Sequence, residues 1–143
     1  MTKDKFDVLG PIFNQIGGEL AHIVGGDPNG VFLYVEIGDR WISYSIFKAD
    51  RDVIRYYDSN DETITDLLWE AWHAESKVGG IKRWSVMEYD IKDGKFTASF
   101  KYPDQVDVEV VDDERRQAAV RARFGDKPVV YPPMPGTAVE LKP

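Results

Sequence analysis

Residues 84–102 read WSVMEYDIKDGKFTASFKY, and this stretch predicts two antiparallel strands joined by a two-residue turn. Asp93-Gly94 supplies the turn, because both central residues of a type I′ turn need positive φ, which Gly adopts freely and Asp more readily than most. The turn fixes the register: Lys92 falls opposite Lys95, Ile91 opposite Phe96, Tyr89 opposite Ala98, Met87 opposite Phe100 and Ser85 opposite Tyr102. A side-chain period of two then puts Met87, Tyr89, Ile91, Phe96, Ala98, Phe100 and Tyr102 on one face. Glu88, Asp90, Thr97, Ser99 and Lys101 fall on the other, read here as the wet face.

Working back from the hairpin, Phe6, Leu9, Phe13, Ile16, Leu20 and Ile23 recur at steps of three and four, the stripe of an amphipathic helix ending at Gly25-Gly26. Pro11 sets the expected firm span at Pro11 to Val24, since proline is favoured in a first turn and breaks an interior one. Val31 to Ile37 is apolar on both faces and reads as a central strand, turned at Gly38-Asp39. Trp41 to Phe47 and Val53 to Tyr57 follow as strands. Ser59-Asn60-Asp61-Glu62 has capping-box spacing, and the helix it opens buries Ile64, Leu67, Leu68, Ala71 and Trp72 before ending at Lys77 to Gly80. Trp69 lies on roughly the same side as Trp72 and reads as core.

Beyond the hairpin, Pro103 to Val111 alternates acids with Val106, Val108 and Val110, the pattern of a half-exposed edge strand or extended linker. Asp112 or Asp113 then caps a third helix, with Arg121 and Arg123 in its last turn, Gly125 after it, and a thin apolar face of Ala119, Val120, Ala122 and Phe124. Residues 126–143 carry five Pro and form an extended tail. The expectation is one α+β domain over residues 1–143, in the order α-β-β-β-α-β-β-α. It has an antiparallel sheet of about five strands with the helices packed on one face.

Composition narrows the function classes. A chain of 143 residues with 43% hydrophobic and 13% aromatic content can bury a core without staples. It has no Cys, which excludes disulfides, thiolate nucleophiles and zinc-cysteine sites and suits a reducing compartment. The first residues, MTKDKFDVLG, show no apolar run of a secretory leader, and no stretch is long enough to span a bilayer; the expected location is the cytoplasm. A net charge of −7 argues against binding to nucleic-acid phosphates or anionic membranes and for a basic partner.

Chemistry-bearing motifs are few. His22 and His73 sit on different helices without carboxylates at metal-ligand spacing, and Gly17-Gly18, Gly25-Gly26 and Gly79-Gly80 form neither a dinucleotide fingerprint nor a phosphate loop. No catalytic residue, metal site or cofactor is expected. The sharpest local signal is acidic: Asp104, Asp107, Glu109, Asp112, Asp113 and Glu114 place six acids and no base in eleven residues. Two readings stand on the sequence alone, a docking surface for a basic protein and a solubilised edge that blocks strand-to-strand pairing. Glu88 and Asp90 extend the candidate surface. A further acidic series, Asp58, Asp61, Glu62, Asp66, Glu70 and Glu75, reads as the wet face of the second helix.

The N-terminal amphipathic helix, Trp84 with Val86-Met87-Glu88, Asp93-Gly94-Lys95-Phe96, Phe100-Lys101-Tyr102, Glu114-Arg115-Arg116, Phe124-Gly125 and the Val129-Val130-Tyr131-Pro132 close together resemble the YezG-type immunity proteins of bacterial polymorphic toxin systems. The resemblance implies a non-enzymatic antitoxin that binds and blocks a cognate toxin domain, typically a nuclease. Immunity families diverge around shared scaffolds, so it does not identify the toxin. Two alternatives remain open: a small-molecule module with a cavity lined by Trp and Tyr, and an adaptor whose Pro-rich tail engages a partner.

Overall fold

The eight residues Val31–Gly38 form β1, the inner strand on which both faces of the structure are built. The computed structural model describes residues 5–58, 62–78, 83–107 and 109–131, for 5–8 and 75–78 the backbone only. Helix α1 (Lys5–Ile23) precedes β1, and β2 (Trp41–Asp50), β3 (Val53–Tyr57), α2 (Glu62–Val78), β4 (Val86–Lys92) and β5 (Lys95–Lys101) follow. A 3-10 turn at Pro103–Gln105 leads to α3 (Asp112–Phe124) and the two-residue β6 (Val129–Val130).

The six strands lie in the order β5-β4-β1-β2-β3-β6. The hairpin has the register its turn dictates, from Val86 opposite Lys101 to Lys92 opposite Lys95, with Asp93 and Gly94 at φ 54° and 74°. Asn29 fastens this turn to the loop before β1, its side-chain oxygen accepting the Gly94 amide at 2.8 Å.

Alternation along β1 separates two cores. Val31, Leu33, Val35 and Ile37 join Ile46, Met87, Tyr89 and Ile91 beneath α1 and α2, with Leu9, Phe13, Ile16 and Leu20 from α1 and Ile64, Leu67, Leu68, Ala71 and Trp72 from α2. The indole N–H of Trp72 donates to the Trp84 carbonyl at 2.9 Å, so α2 is pinned to the strand entering the hairpin. Trp69 is half-buried in the same cluster, crossing Trp72 edge to face. On the opposite face, Phe32, Tyr34, Phe47, Ile54 and Val86 pack against Val120 and Phe124 of α3.

The α+β class and single sheet are as expected, and two details are corrected. The sheet is mixed, because β6 pairs in parallel with β3 through Ile54–Val129 and Arg55–Val130. The helices do not share a face: α3 covers the side bearing Glu88 and Asp90, where Phe32, Tyr34 and Val86 supply a second apolar surface.

Local expectations shift as well. α1 runs through Pro11 back to Lys5. Pro11 points to solvent, and the glycine before it has no Cβ to clash with the proline ring, so one lost hydrogen bond is tolerated. β2 continues to Asp50, past the Phe47 boundary. Residues 103–107 and 109–111 form no strand. The N-cap of α3 is Val111, with no side-chain cap, instead of Asp112 or Asp113. Gly125 closes α3 at φ 79°, its amide donating to the Arg121 carbonyl at 2.8 Å. The Ser59 capping box, Asp61, Gly79-Gly80, Val108 and the tail from residue 132 lie outside the described residues, as do the side chains of Phe6 and Glu75.

Two adjacent glycines of α1 make the packing testable. A Cβ at Gly17 would meet the Tyr89 hydroxyl at 2.9 Å, and that hydroxyl donates to the Phe13 carbonyl at 2.8 Å inside the core. Gly18 is exposed, with nothing within 4 Å of its Cβ position. Gly17→Ala should cost about 1–3 kcal/mol by overpacking, whereas Gly18→Ala should add about 0.5–1 kcal/mol through helix propensity. Urea midpoints measure both, and shifts of the same sign would contradict this packing.

Candidate functional site

The candidate site is built outward from Glu36, a carboxylate in the middle of the apolar run VFLYVEIG. Strand periodicity turns Phe32, Tyr34 and Glu36 toward α3, and hydrogen bonding on both edges of β1 leaves Glu36 only 4% exposed. A carboxylate so placed requires charged or hydrogen-bonding partners. It has three such bonds: the Tyr34 hydroxyl donates to Oε2 at 2.7 Å, and Arg115 donates Nε to Oε2 at 3.0 Å and Nη2 to Oε1 at 2.8 Å. This is the bidentate fork that makes arginine–carboxylate pairs directional.

The remaining Arg115 nitrogen faces away from the sheet. Nη1 donates to the Asp107 carbonyl at 3.0 Å and also to the Val110 carbonyl. One guanidinium therefore ties the sheet centre and the first turn of α3 to the connection between the hairpin and α3. That connection has further bonds of its own. Gln105 closes the 3-10 turn, its side chain accepting the Tyr102 amide at 2.9 Å, and the Asp107 carboxylate accepts the Glu109 amide at 2.9 Å. Val106 is half-buried against the second core. These bonds replace the edge strand that the valine alternation suggested.

All six acids of the segment, Asp104, Asp107, Glu109, Asp112, Asp113 and Glu114, are exposed. Asp112 accepts the Asp113 amide at 2.9 Å, and Asp113 pairs with Arg116 and with Gln117. Glu88 is brought alongside them: it lines a cleft of about 330 Å³ with Tyr34, Lys101, Asp107 and Arg115. Asp90 is not. It lies 3.6 Å from Arg123 at the far end of α3, half-buried, and contributes little net charge to the acidic surface.

The sequence reading assigned no site role to Glu36, Tyr34 or Arg115, the last entering only among the residues of the family resemblance. The signal was present: a lone charge inside a strand apolar on both faces calls for a buried partner. Both oxygens of Glu36 are engaged by Tyr34 and Arg115, which gives it a structural role. The two histidines are exposed on their helices, His73 stacked on Trp69. Among the described residues no group of three or more His, Cys, Asp or Glu could hold a metal ion, and no helix is long and apolar enough to cross a membrane.

Ionisation follows the burial. Desolvation raises the Tyr34 phenol well above its ordinary 10.0, and donation to Glu36 raises it further; desolvation alone raises Tyr89. The hydrogen bond to Glu36 raises Arg115. An unfolded tyrosine ionises near pH 10 while these two stay protonated in the fold, so their stabilising contribution is complete below about pH 10 and declines as pH rises beyond it. Tyr34→Phe and Tyr89→Phe should each make the alkaline fall in the urea midpoint shallower. Arg115→Met strands the Glu36 carboxylate and should cost about 3–5 kcal/mol, whereas Glu36→Leu with Arg115→Met should cost less than the sum of the single changes. Additive costs in that cycle would show that the two side chains are not coupled.

With this geometry in view, no protein-family model matches the chain, and no curated protein matches it.

Proposed function

We propose that this chain is a non-enzymatic immunity protein that binds and blocks a basic toxin domain, of the nuclease type, through the acidic segment of residues 104–114, with Glu88 at its margin. The observation that supports this reading is the restraint on the segment. A run of acids that served only to keep an edge soluble needs no fixed shape. Here the Arg115 guanidinium, itself anchored on Glu36, holds two carbonyls of the segment. Preorganisation of this kind lowers the ordering cost of association.

The charge supports the same reading. The six acids of the segment account for most of the chain's net charge of −7, and so concentrated a patch steers encounter with a cationic substrate-binding surface. A nuclease presents such a surface, because it must hold phosphates. The half-buried Val106 and Val110 and the exposed Val111 lie among the acids and would supply apolar contact once charge has aligned the partners.

Co-expression with the toxin-like product of an adjacent reading frame tests the proposal: growth should be restored and the two proteins should co-purify at moderate salt. Changing Asp107→Asn, Glu109→Gln, Asp112→Asn and Asp113→Asn together keeps the side-chain carbonyl acceptors that fold the segment while removing four charges. This variant should stay folded, with a small fall in melting temperature from the first-turn charges of α3, associate at least about tenfold more slowly and lose most of the salt dependence of binding. Unchanged association and salt dependence would remove the segment from the interface.

A further inference from the structure

A second cleft lies on the same sheet face at the C-terminal end of α3, with a volume of about 420 Å³. Phe47, Val120, Val129 and Tyr131 supply the apolar part of its lining, and Gln117 is among the polar residues beside them. Its polar lining is dominated by cations, Arg116, Arg121 and Lys127, with Asp126 as the acid. Arg116 is committed to Asp113, but among the described residues neither Arg121 nor Lys127 enters an ion pair. In a chain of net charge −7, a cleft lined by two cations outside any ion pair and one acid, Asp126, carries local positive charge and favours an anionic occupant.

The aromatic wall narrows the ligand class. A ladder of rings crosses the sheet: Phe124 to Phe32 at 5.9 Å, Phe32 to Phe47 at 6.5 Å, Phe47 to Tyr56 at 5.4 Å and Tyr56 to Tyr131 at 5.1 Å. Tyr131 ends the ladder, held by Tyr56 and still 59% exposed. A ring braced on one side and open on the other is a stacking platform for a planar group. The C-terminal dipole of α3 opposes an anion near its axis, so binding of an anion in the cleft depends on Arg121 and Lys127.

We propose that this cleft binds a small planar aromatic anion of mononucleotide size, its ring stacked on Tyr131 and its phosphate or carboxylate held by Arg121 and Lys127. Asp126 accepts hydrogen bonds from hydroxyl or amino groups of the ligand. The inference does not rest on the toxin-binding proposal, since the residues assigned to the ligand, Arg121, Asp126, Lys127 and Tyr131, lie outside the acidic segment.

Titration of the intact chain with adenosine 5′-monophosphate, benzoate, adenosine and inorganic phosphate, followed by amide chemical shifts and calorimetry, tests it. Saturable binding of the monophosphate, with shifts centred on Val120, Gly125 and Val129 and with adenosine and phosphate each at least about tenfold weaker, is the expected result. Benzoate binding as tightly as the monophosphate would support the ring-plus-anion site and assign it to carboxylates; weaker benzoate binding would assign it to nucleotides. Arg121→Ala with Lys127→Ala, and separately Tyr131→Ala, all at exposed positions, should weaken binding about tenfold or more and leave the chain folded, with at most a small fall in melting temperature from the lost dipole complement of Arg121 or the lost Tyr56 contact. The proposal is overturned if neither anion saturates by about 10 mM, if adenosine binds as well as its monophosphate, or if the double variant binds like the parent.

Discussion

The third layer of this structure depends on one ion pair, between the buried Glu36 and the half-buried Arg115. α3 brings little apolar surface to the sheet, since Val120 is its one buried residue. Such a helix could slide or rotate on the face it covers with small losses of contact area. The Arg115–Glu36 fork removes that freedom, because a bidentate pair has one good geometry and a stranded carboxylate at the sheet centre costs several kcal/mol. A buried pair of this kind adds little net stability over a hydrophobic replacement, so its contribution here is to specify where α3 and the preceding connection sit.

The two faces of the sheet consequently differ in kind. The α1/α2 side is held by large interdigitated side chains, among them Phe13 packed against the rings of Tyr89, Phe96 and Phe100. Contacts of that type are numerous and non-directional, and together they outweigh any single polar bond. The α3 side has a smaller apolar cluster and relies on directional bonds. Both proposed binding surfaces lie on this second side, where the less deeply packed layer carries most of the unusual charge.

Legibility in the sequence followed the range of the interaction. The hairpin register was readable because Asp93-Gly94 fixes it within two residues, and the buried face of α2 because Ile64, Leu67, Leu68, Ala71 and Trp72 repeat at helical spacing. The site was not readable in the same way. Glu36 and Arg115 are 79 residues apart, and no local pattern couples them. β6 contributes two residues, too few for a periodicity. The valine alternation after Pro103 imitates a strand, but the carboxylate of Asp107 turns the backbone locally and Arg115 captures carbonyls that a strand would have used. The thin apolar face of α3 was readable, yet thinness does not say which side of a sheet the helix occupies.

Charge along α3 separates what the helix requires from what exceeds that requirement. Asp112, Asp113 and Glu114 in the first turn and Arg121 and Arg123 in the last are arranged as the helix dipole favours, so helix stability accounts for their signs. It does not account for Asp104, Asp107 and Glu109, which precede the helix, or for Lys127, which follows it. These outlying charges extend each end of the dipole with its complementary sign and give the α3 layer an acidic end and a basic end. Asp90, by contrast, lies at the basic end and is offset by Arg123. Each proposed surface thus joins charges that the helix dipole favours to outlying ones, Asp104, Asp107 and Glu109 at one end and Lys127 at the other, that the secondary structure does not require.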